Sequence, residues 1–327
     1  MQLKAGINGN PSMRFVTYNL RFDAQPDSIS VSQSLDSLSD PLVEPKYLTK
    51  EGEQPWSLRR MRVAEHLLSE GAVLCGFQEA LVRQVRDLAE LFGEEWGWVG
   101  VGRDDGKEAG EFSPIFYNKT EFKFLTYDTF WTSPTPFTPS RFPGAGSFRI
   151  CTTIRLQSLR SSKEFVVLNT HLDDQSDGQR QLAASLLLHR AKYEEQVGGC
   201  PVFVLGDFNS PPTGRDSAAY EIITGARQPV AVPSDFLNKF PLSDDLPSAA
   251  PALRDLLADA PRRSAGIAAH ATFTGFGAPT VTRDWKRIDF AFGSKAGTCI
   301  RYKVDSALGD DGVLESDHRP VFVDLVV

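Results

Sequence analysis

The chain has 327 residues, with 35 Lys and Arg against 42 Asp and Glu, for a formal net charge of −7. That balance gives no support to charge-driven binding of long duplex DNA, which depends on neutralising phosphates, although a local basic cleft stays open. A chain this long can bury a full core without metal or disulfide staples, and 41% hydrophobic residues is a globular rather than a disordered proportion.

In chain order, Met1 to Ser12 is polar and lacks the apolar core of a secretory signal. Met13 to Leu20 reads as a strand that carries Asn19 at its end. Residues 24–58 are rich in Ser, Asp and Pro and too long for a simple connection, so a loop insertion or functional flap is expected there. Met61, Ala64, Leu67 and Leu68 recur at helical spacing after Pro55 and Ser57. Ala72 to Phe77 is a short buried-strand run that stops at Gln78-Glu79, and Leu81, Val85, Leu88 and Phe92 mark a second amphipathic helix. The β-like stretches 96–101, 112–117, 122–131 and 148–157 follow between Gly- and Pro-rich turns.

The alternation then repeats. Phe165 to Leu168 is a strand, a helix carries Leu182 to Ala191, and Val202 to Leu205 is a strand that runs into Gly206-Asp207-Phe208-Asn209. Residues 226–270 read as loop with a short helix near 252–258. Ile288, Phe290 and Phe292 alternate with Arg287 and Asp289, and Val321 to Val327 is the last strand. This is the pattern of a single mixed α/β domain over residues 1–327. Four widely spaced cysteines without C-x-x-C spacing point to buried free thiols rather than zinc or a disulfide scaffold. No apolar run approaches the ~18 residues of a membrane span. A soluble, intracellular (cytoplasmic) protein without a membrane span or an evident obligate protein partner is expected; secretion stays open if a leader has been trimmed.

Polar residues gather where strands stop. Asn19, Glu79, Asn169, His171, Asp207 and Asn209 sit at or just past the ends of apolar strands, Asp317-His318 precedes the last strand, and Asp289 interrupts an apolar one. Each has an ordinary alternative. Gly, Asp, Asn and Pro around Asp207 and Asn209 are turn formers, Glu79 could cap a helix, and Asp289 could pair with Arg287 or Lys286. Five such clusters at corresponding strand ends argue for one site. Glu79 and Asp317, with Asn19, Asp207 and Asn209, supply hard oxygen donors that suit Mg²⁺, with Mn²⁺ as the other candidate, rather than zinc. His318 is placed to take a proton from water and His171 to contact the phosphoryl group. Walker loops, dinucleotide glycine fingerprints and G-x-S-x-G elbows are absent. Metal-assisted phosphoester hydrolysis is the expected chemistry.

Six motifs carry a resemblance: Thr17-Tyr18-Asn19-Leu20, Gly76-Phe77-Gln78-Glu79, Asn169-Thr170-His171-Leu172, Gly206-Asp207-Phe208-Asn209, Arg287-Ile288-Asp289-Phe290 and Ser316-Asp317-His318. In content and order the sequence resembles the endonuclease/exonuclease/phosphatase superfamily of DNase I-like fold. The resemblance implies a four-layer α/β sandwich, two packed mixed sheets flanked by helices, with the site at one end. It implies metal binding by Glu79, Asn19 and Asp317, and an Asp207–Asn209 pair that orients water and holds phosphate. It gives His318 a base or phosphate-stabilising role with Asp289 orienting it, and puts His171 beside them. Asn169 is expected to bind substrate. The segment Gly102 to Glu111, with Phe130-Trp131-Thr132-Ser133 and Arg149, resembles a bacterial and fungal subgroup, and Arg103 and Arg149 are expected to hold a phosphate oxygen.

The expected activity is therefore a metal-dependent phosphodiesterase acting on a nucleic-acid end, a single strand or a small phosphorylated compound. The alternatives are a phosphomonoesterase of sugar or lipid phosphates and a non-catalytic binding protein on the same fold. A nuclease should offer a basic or aromatic groove, for which Trp56, Trp131, Phe137, Phe142 and Trp285 are the candidate rings.

Overall fold

The strands in which apolar residues alternate stack two deep. A computed structural model describes residues 12–48, 52–242, 252–266, 268–277 and 282–327. One sheet contains β1 (Met13–Asn19), β2 (Leu74–Gln78), β3 (Trp96–Val99), β4 (Ile115–Asn118), β11 (Thr298–Val304) and β12 (Val321–Val326), in the order β11-β12-β1-β2-β4-β3. The other contains β5 (Phe122–Trp131), β6 (Ile150–Ser158), β7 (Glu164–His171), β8 (Val202–Asp207), β9 (Arg254–Asp255) and β10 (Asp289–Gly293), in the order β5-β6-β7-β8-β10-β9. Each sheet has one parallel pair at its centre, β1 with β2 and β7 with β8, and antiparallel strands around it.

Helices cover both outer faces. α2 (Trp56–Ser69) and α3 (Val82–Phe92) lie on the first sheet; α4 (Asp177–Gly198), α5 (Ala218–Thr224) and α6 (Ser234–Lys239) lie on the second. Strand side chains alternate between faces, and the cores follow that rule. Phe15, Leu74, Phe165, Val167, Phe203, Leu205, Ala291 and Val323 point into the layer between the sheets. Val16, Tyr18, Cys75 and Phe77 face the helices on one side, and Val166, Leu168, Val204 and Phe290 those on the other. This is the four-layer sandwich of two mixed sheets flanked by helices.

The same parity locates the site. Counting on by twos along the inner face leads from Phe15 to Asn19, from Val167 to Asn169 and His171, from Leu205 to Asp207, and from Ala291 back to Asp289. The polar cluster continues the inter-sheet layer at the end where both parallel pairs point. Strand register sets His171 beside Asp207, and Asp207 beside Asp289.

Where sequence and structure differ, the reasons are local. The 24–58 stretch contains α1 (Val31–Asp36), capped by Ser30, and the first residues of α2. Its Asp27 bonds to Ser57 and Arg83, and buried Arg60 donates to the backbone of Ile29 and Ser30. Within 226–270, α6, β9 and α7 (Leu256–Asp259) appear, while residues 243–251 and 267 lie outside the described residues. β11 was not anticipated because a bulge between Cys299 and Arg301 breaks its alternation. All four cysteines are free and buried. No helix among the described residues is long and apolar enough to cross a membrane.

Candidate active site

Asn19, on the last residue of β1, links the two sheets. Its Nδ2 donates at 3.0 Å to Glu79 Oε1 in the first sheet's loop and at 3.0 Å to Asp207 Oδ2 in the second sheet. Its Oδ1 accepts from the Arg21 backbone N–H. Glu79 is held by Phe22 N–H at 3.1 Å, and its backbone lies in the left-handed region at φ 60°. Asn209 is left-handed as well, at φ 45°. A non-glycine residue held there stores strain of about 1–3 kcal/mol, of the kind that collects at functional sites. Behind this corner, the buried guanidinium of Arg59 donates to the carbonyls of Leu20, Gln54 and Glu315, fixing the loops that carry Glu79's neighbours and Asp317.

On the second sheet, Asp207 Oδ1 accepts from Asn209 N–H at 2.9 Å. Gly206 is required here, because a Cβ would meet the Thr170 carbonyl oxygen at 2.3 Å. Asn209 Nδ2 donates to the Leu172 carbonyl and to His171 Nε2, each at 3.1 Å. His171 therefore carries its proton on Nδ1, which has no hydrogen-bond partner and stands 3.9 Å from Glu111 Oε2. Burial, with Arg149, Arg103 and His318 nearby, holds His171 well below the usual histidine range, so it is neutral.

His318 contrasts with it. Its Nδ1 meets Asp289 Oδ2 at 2.9 Å, and its Nε2 lies 3.7 Å from Asp207 Oδ2. Burial alone would lower its pKa, but the charge and hydrogen bond of Asp289, with Asp207 and Asp317, push it up to about 10. Asp207 is raised to about 7, by burial first and then by Asp289. The N–H groups of Ile288 and Asp289 both reach Thr272 Oγ1 at 3.0 Å, and Phe273 packs edge-on against the His318 ring. Thr272 and Phe273 had no sequence signal beyond a strand-like pair in a loop-rich region.

These groups open into a cavity of about 600 Å³. Glu79, His171, Asp207, Asn209, Asp317, His318, Arg103 and Arg149 line it together with Arg180, Lys286, Glu111, Asp174 and Asp216. Arg103 is paired with Glu111 at 2.5 Å and Arg149 with Asp173 and Asp174, yet Arg103 Nε and Arg149 Nη1 are buried without a hydrogen-bond partner among the described residues. Two buried guanidinium N–H groups in one cavity suit an anion.

One expectation is corrected. Asn169 does not line the cavity. It faces the opposite sheet, where its Nδ2 donates to the Phe77 and Pro114 carbonyls and its Oδ1 accepts from Gln78 Nε2 at 2.7 Å. Gly76 leaves the space it occupies, since a Cβ there would approach Asn169 Oδ1 to 2.8 Å. Its polar groups are consumed in joining the sheets. The five proposed stacking rings are also elsewhere. Trp56 and Trp131 are buried, Phe137 and Phe142 pack on the α4 side, Trp285 lies under Arg319, and none lines the cavity.

The donor set fits a hard divalent cation. Glu79 and Asp317 offer oxygen ligands, and Asp317 is raised by burial and by the nearby charge of Glu79, which a cation would relieve. Asn19, expected as a third ligand, instead turns its NH2 to Glu79 and Asp207 and its Oδ1 to the Arg21 N–H. Asp207, Asp289 and His318 also bring ligand atoms within 4.8 Å of one another. In that group His318 Nδ1 and Asp289 Oδ2 bond each other, while Asp289 Oδ1 is buried without a hydrogen-bond partner among the described residues.

The family model for the Endonuclease/Exonuclease/phosphatase family matches residues 16–318. Among solved structures, an endonuclease/exonuclease/phosphatase from Bacteroides vulgatus is 27% identical with a TM-score of 0.72, covering 97% of this chain and 99% of that one. A mannosyl-6-phosphatase of Bacteroides thetaiotaomicron VPI-5482 is 25% identical with a TM-score of 0.69, covering 97% and 100%. The D. rerio TDP2, solved with a single-strand DNA product, shares the fold at 13% identity and a TM-score of 0.60, covering 97% and 99%. A comparison with curated proteins finds no match. With a family match over nearly its whole length and an oxygen-rich, phosphate-suited cavity at the expected strand ends, the chain belongs to the Endonuclease/Exonuclease/phosphatase family.

Proposed function

We propose that the protein is a divalent-metal-dependent phosphatase that hydrolyses small phosphomonoesters. The observation that carries this reading is the cavity itself, where the Glu79 and Asp317 carboxylates share one enclosed space with buried arginines that keep unused N–H groups. Its lining sets the acids Glu79, Glu111, Asp174, Asp207, Asp216 and Asp317 among its Arg and Lys side chains, and a cavity edged by that many carboxylates favours a compact substrate over a long polyanionic strand. The likeness to a mannosyl-6-phosphatase supports the monoester over the diester that the sequence put first.

Glu79 and Asp317 would hold the cation, with the Asn19 NH2 group positioning Glu79. When bound, Mg²⁺ or Mn²⁺ supplies positive charge to a phosphoryl oxygen and to the departing oxygen. Arg103 and Arg149 bind the remaining phosphoryl oxygens and His171 donates from Nδ1. Asp207 and Asn209 orient a water against phosphorus, and Asp207 takes its proton. The new P–O bond forms from that water as the bond to the leaving oxygen breaks; the leaving oxygen takes a proton from solvent and Asp207 returns its own to solvent, giving an alcohol and inorganic phosphate. His318, fixed by Asp289, faces the reacting phosphoryl group with Nε2.

The test is hydrolysis of p-nitrophenyl phosphate and bis(p-nitrophenyl) phosphate with Mg²⁺, Mn²⁺ or EDTA, with Asp207→Ala alongside. Metal-dependent monoester turnover lost in the variant is the expected result. A clear preference for the diester overturns the monoester assignment, and silence on both overturns the phosphatase.

A further inference from the structure

Part of the cavity wall has no task in phosphoryl transfer. It consists of Ser147, Asp174, Gln175 and Asp216, backed by Arg149 and Arg180. Buried Asp173 makes this wall rigid. Its carboxylate accepts from the backbone N–H groups of Gly146, Ser147, Gln175 and Ser176 and from Arg149 Nε, stitching the loop before β6 to the loop before α4.

The two arginines are 6% and 2% exposed, and each ties down one carboxylate of this wall while also pairing with a second acid, Asp173 for Arg149 and Asp177 for Arg180. Arg149 Nη2 holds Asp174 Oδ1 at 2.9 Å, and Arg180 Nη2 holds Asp216 Oδ1 at 2.8 Å. Only one oxygen of each carboxylate is used. The second oxygens, the Ser147 hydroxyl and the Gln175 amide have no partner among the described residues, and Arg149 Nη1 and Arg180 Nε are buried and unpartnered. A buried cation that locks an acceptor at a cavity wall, leaving half of it free, is a preorganised recognition surface.

We propose that this wall is a polyol subsite, binding the hydroxyls of a polyhydroxylated leaving group such as a sugar or sugar alcohol. The inference rests on the phosphatase reading above. Neighbouring hydroxyls need fixed acceptors and donors at short spacing. Asp174 and Asp216 supply the acceptors, while the Gln175 amide and the Ser147 hydroxyl supply donors. A second phosphate would meet two carboxylates and be repelled.

The experiment compares kcat/KM for a panel of hexose and alditol phosphates with kcat/KM for p-nitrophenyl phosphate. It uses the full chain with Mg²⁺, as wild type, Asp174→Asn, Asp216→Asn and the double variant. The ratio of the two constants should fall about tenfold or more in each single variant, through KM for the sugar substrate. Competitive inhibition by the free sugar should weaken in parallel. Ser147→Ala and Gln175→Ala probe the same wall without touching an ion pair, and should lower the ratio if the carboxylate variants fail to fold. An unchanged ratio in all variants overturns the polyol subsite and leaves the phosphatase standing, as does wild-type turnover of p-nitrophenyl phosphate without turnover of any polyol phosphate. Absence of metal-dependent turnover of every monoester removes both.

Discussion

His318 meets Asp289 through Nδ1 at 2.9 Å, so Nε2 is the nitrogen left to face Asp207, 3.7 Å away. A ring held at one nitrogen has a defined direction for the other. His318→Ala should lower kcat on p-nitrophenyl phosphate on the order of 10²–10⁴-fold. Asp289→Asn, which keeps a hydrogen-bonding group but loses the charge, should cost less. Both variants should retain the wild-type circular dichroism spectrum. Near-normal turnover by His318→Ala would remove this histidine from the reaction.

Glu79 has a constrained backbone and a carboxylate beside Asp317. Glu79→Gln should raise the Mg²⁺ concentration for half-maximal activity about tenfold or more. Titration calorimetry without substrate should show the same loss of Mg²⁺ affinity, separating metal binding from catalysis. Wild-type calorimetry in the variant would move the cation to other ligands.

Asn169→Ala tests a structural tie. It strips a partner from the buried Phe77 carbonyl, while the Pro114 carbonyl keeps the Phe77 N–H and Gln78 Nε2 keeps Thr17 Oγ1 and the Gly76 carbonyl. At about 1–3 kcal/mol for a buried group that loses its partner, a loss of that order is expected, read as a lower urea midpoint. Protein that remains folded should show a nearly unchanged KM. A large KM increase at unchanged stability would return Asn169 to substrate binding.

His66 gives stability its own pH dependence. Its Nδ1 lies 3.0 Å from Glu315 and its Nε2 3.4 Å from Asp305. Burial would lower its pKa, yet these two acids raise it above 6.5. The folded state thus binds the proton more tightly than the unfolded chain. This contribution is complete below the unfolded value near 6.5 and is lost as pH rises through the higher folded value. Urea unfolding across that window should show His66→Gln with a flatter stability–pH curve than wild type. Parallel curves would assign the slope elsewhere.

The strand ends were readable because a lone Asn, Glu, Asp or His at the close of an apolar run has few reasons to be there. Parity along the inner face then places Asn19, Asp207 and His171 together. Asn169 shares that parity, and sequence alone could not separate a residue one step short of the cavity from one inside it. Asp174, Arg180 and Asp216 carried no signal, because charged residues in loops and on helices normally face solvent. Arg180 becomes part of a wall only through burial against Asp173 and Asp216. Short helices such as α5 and α6 escaped notice because six or seven residues hold too few turns to set a period.

The Asn19 amide touches Glu79 on one sheet and Asp207 on the other at the same 3.0 Å, so the reacting groups inherit the gap between the sheets. That gap is set by a cluster of rings, Phe15, Phe122, Phe165 and Phe203, packed edge to face except for the tilted Phe15–Phe165 pair. The phenylalanines act as a spacer, and the catalytic alignment is a gauge of their thickness. Trimming one ring, as in Phe165→Leu, would reach the chemistry as a misalignment across the seam before it reached the fold as a loss of cooperativity. Helix faces and outer loops can therefore drift far in composition, while the combined bulk of this aromatic layer stays bound to the rate of the reaction above it.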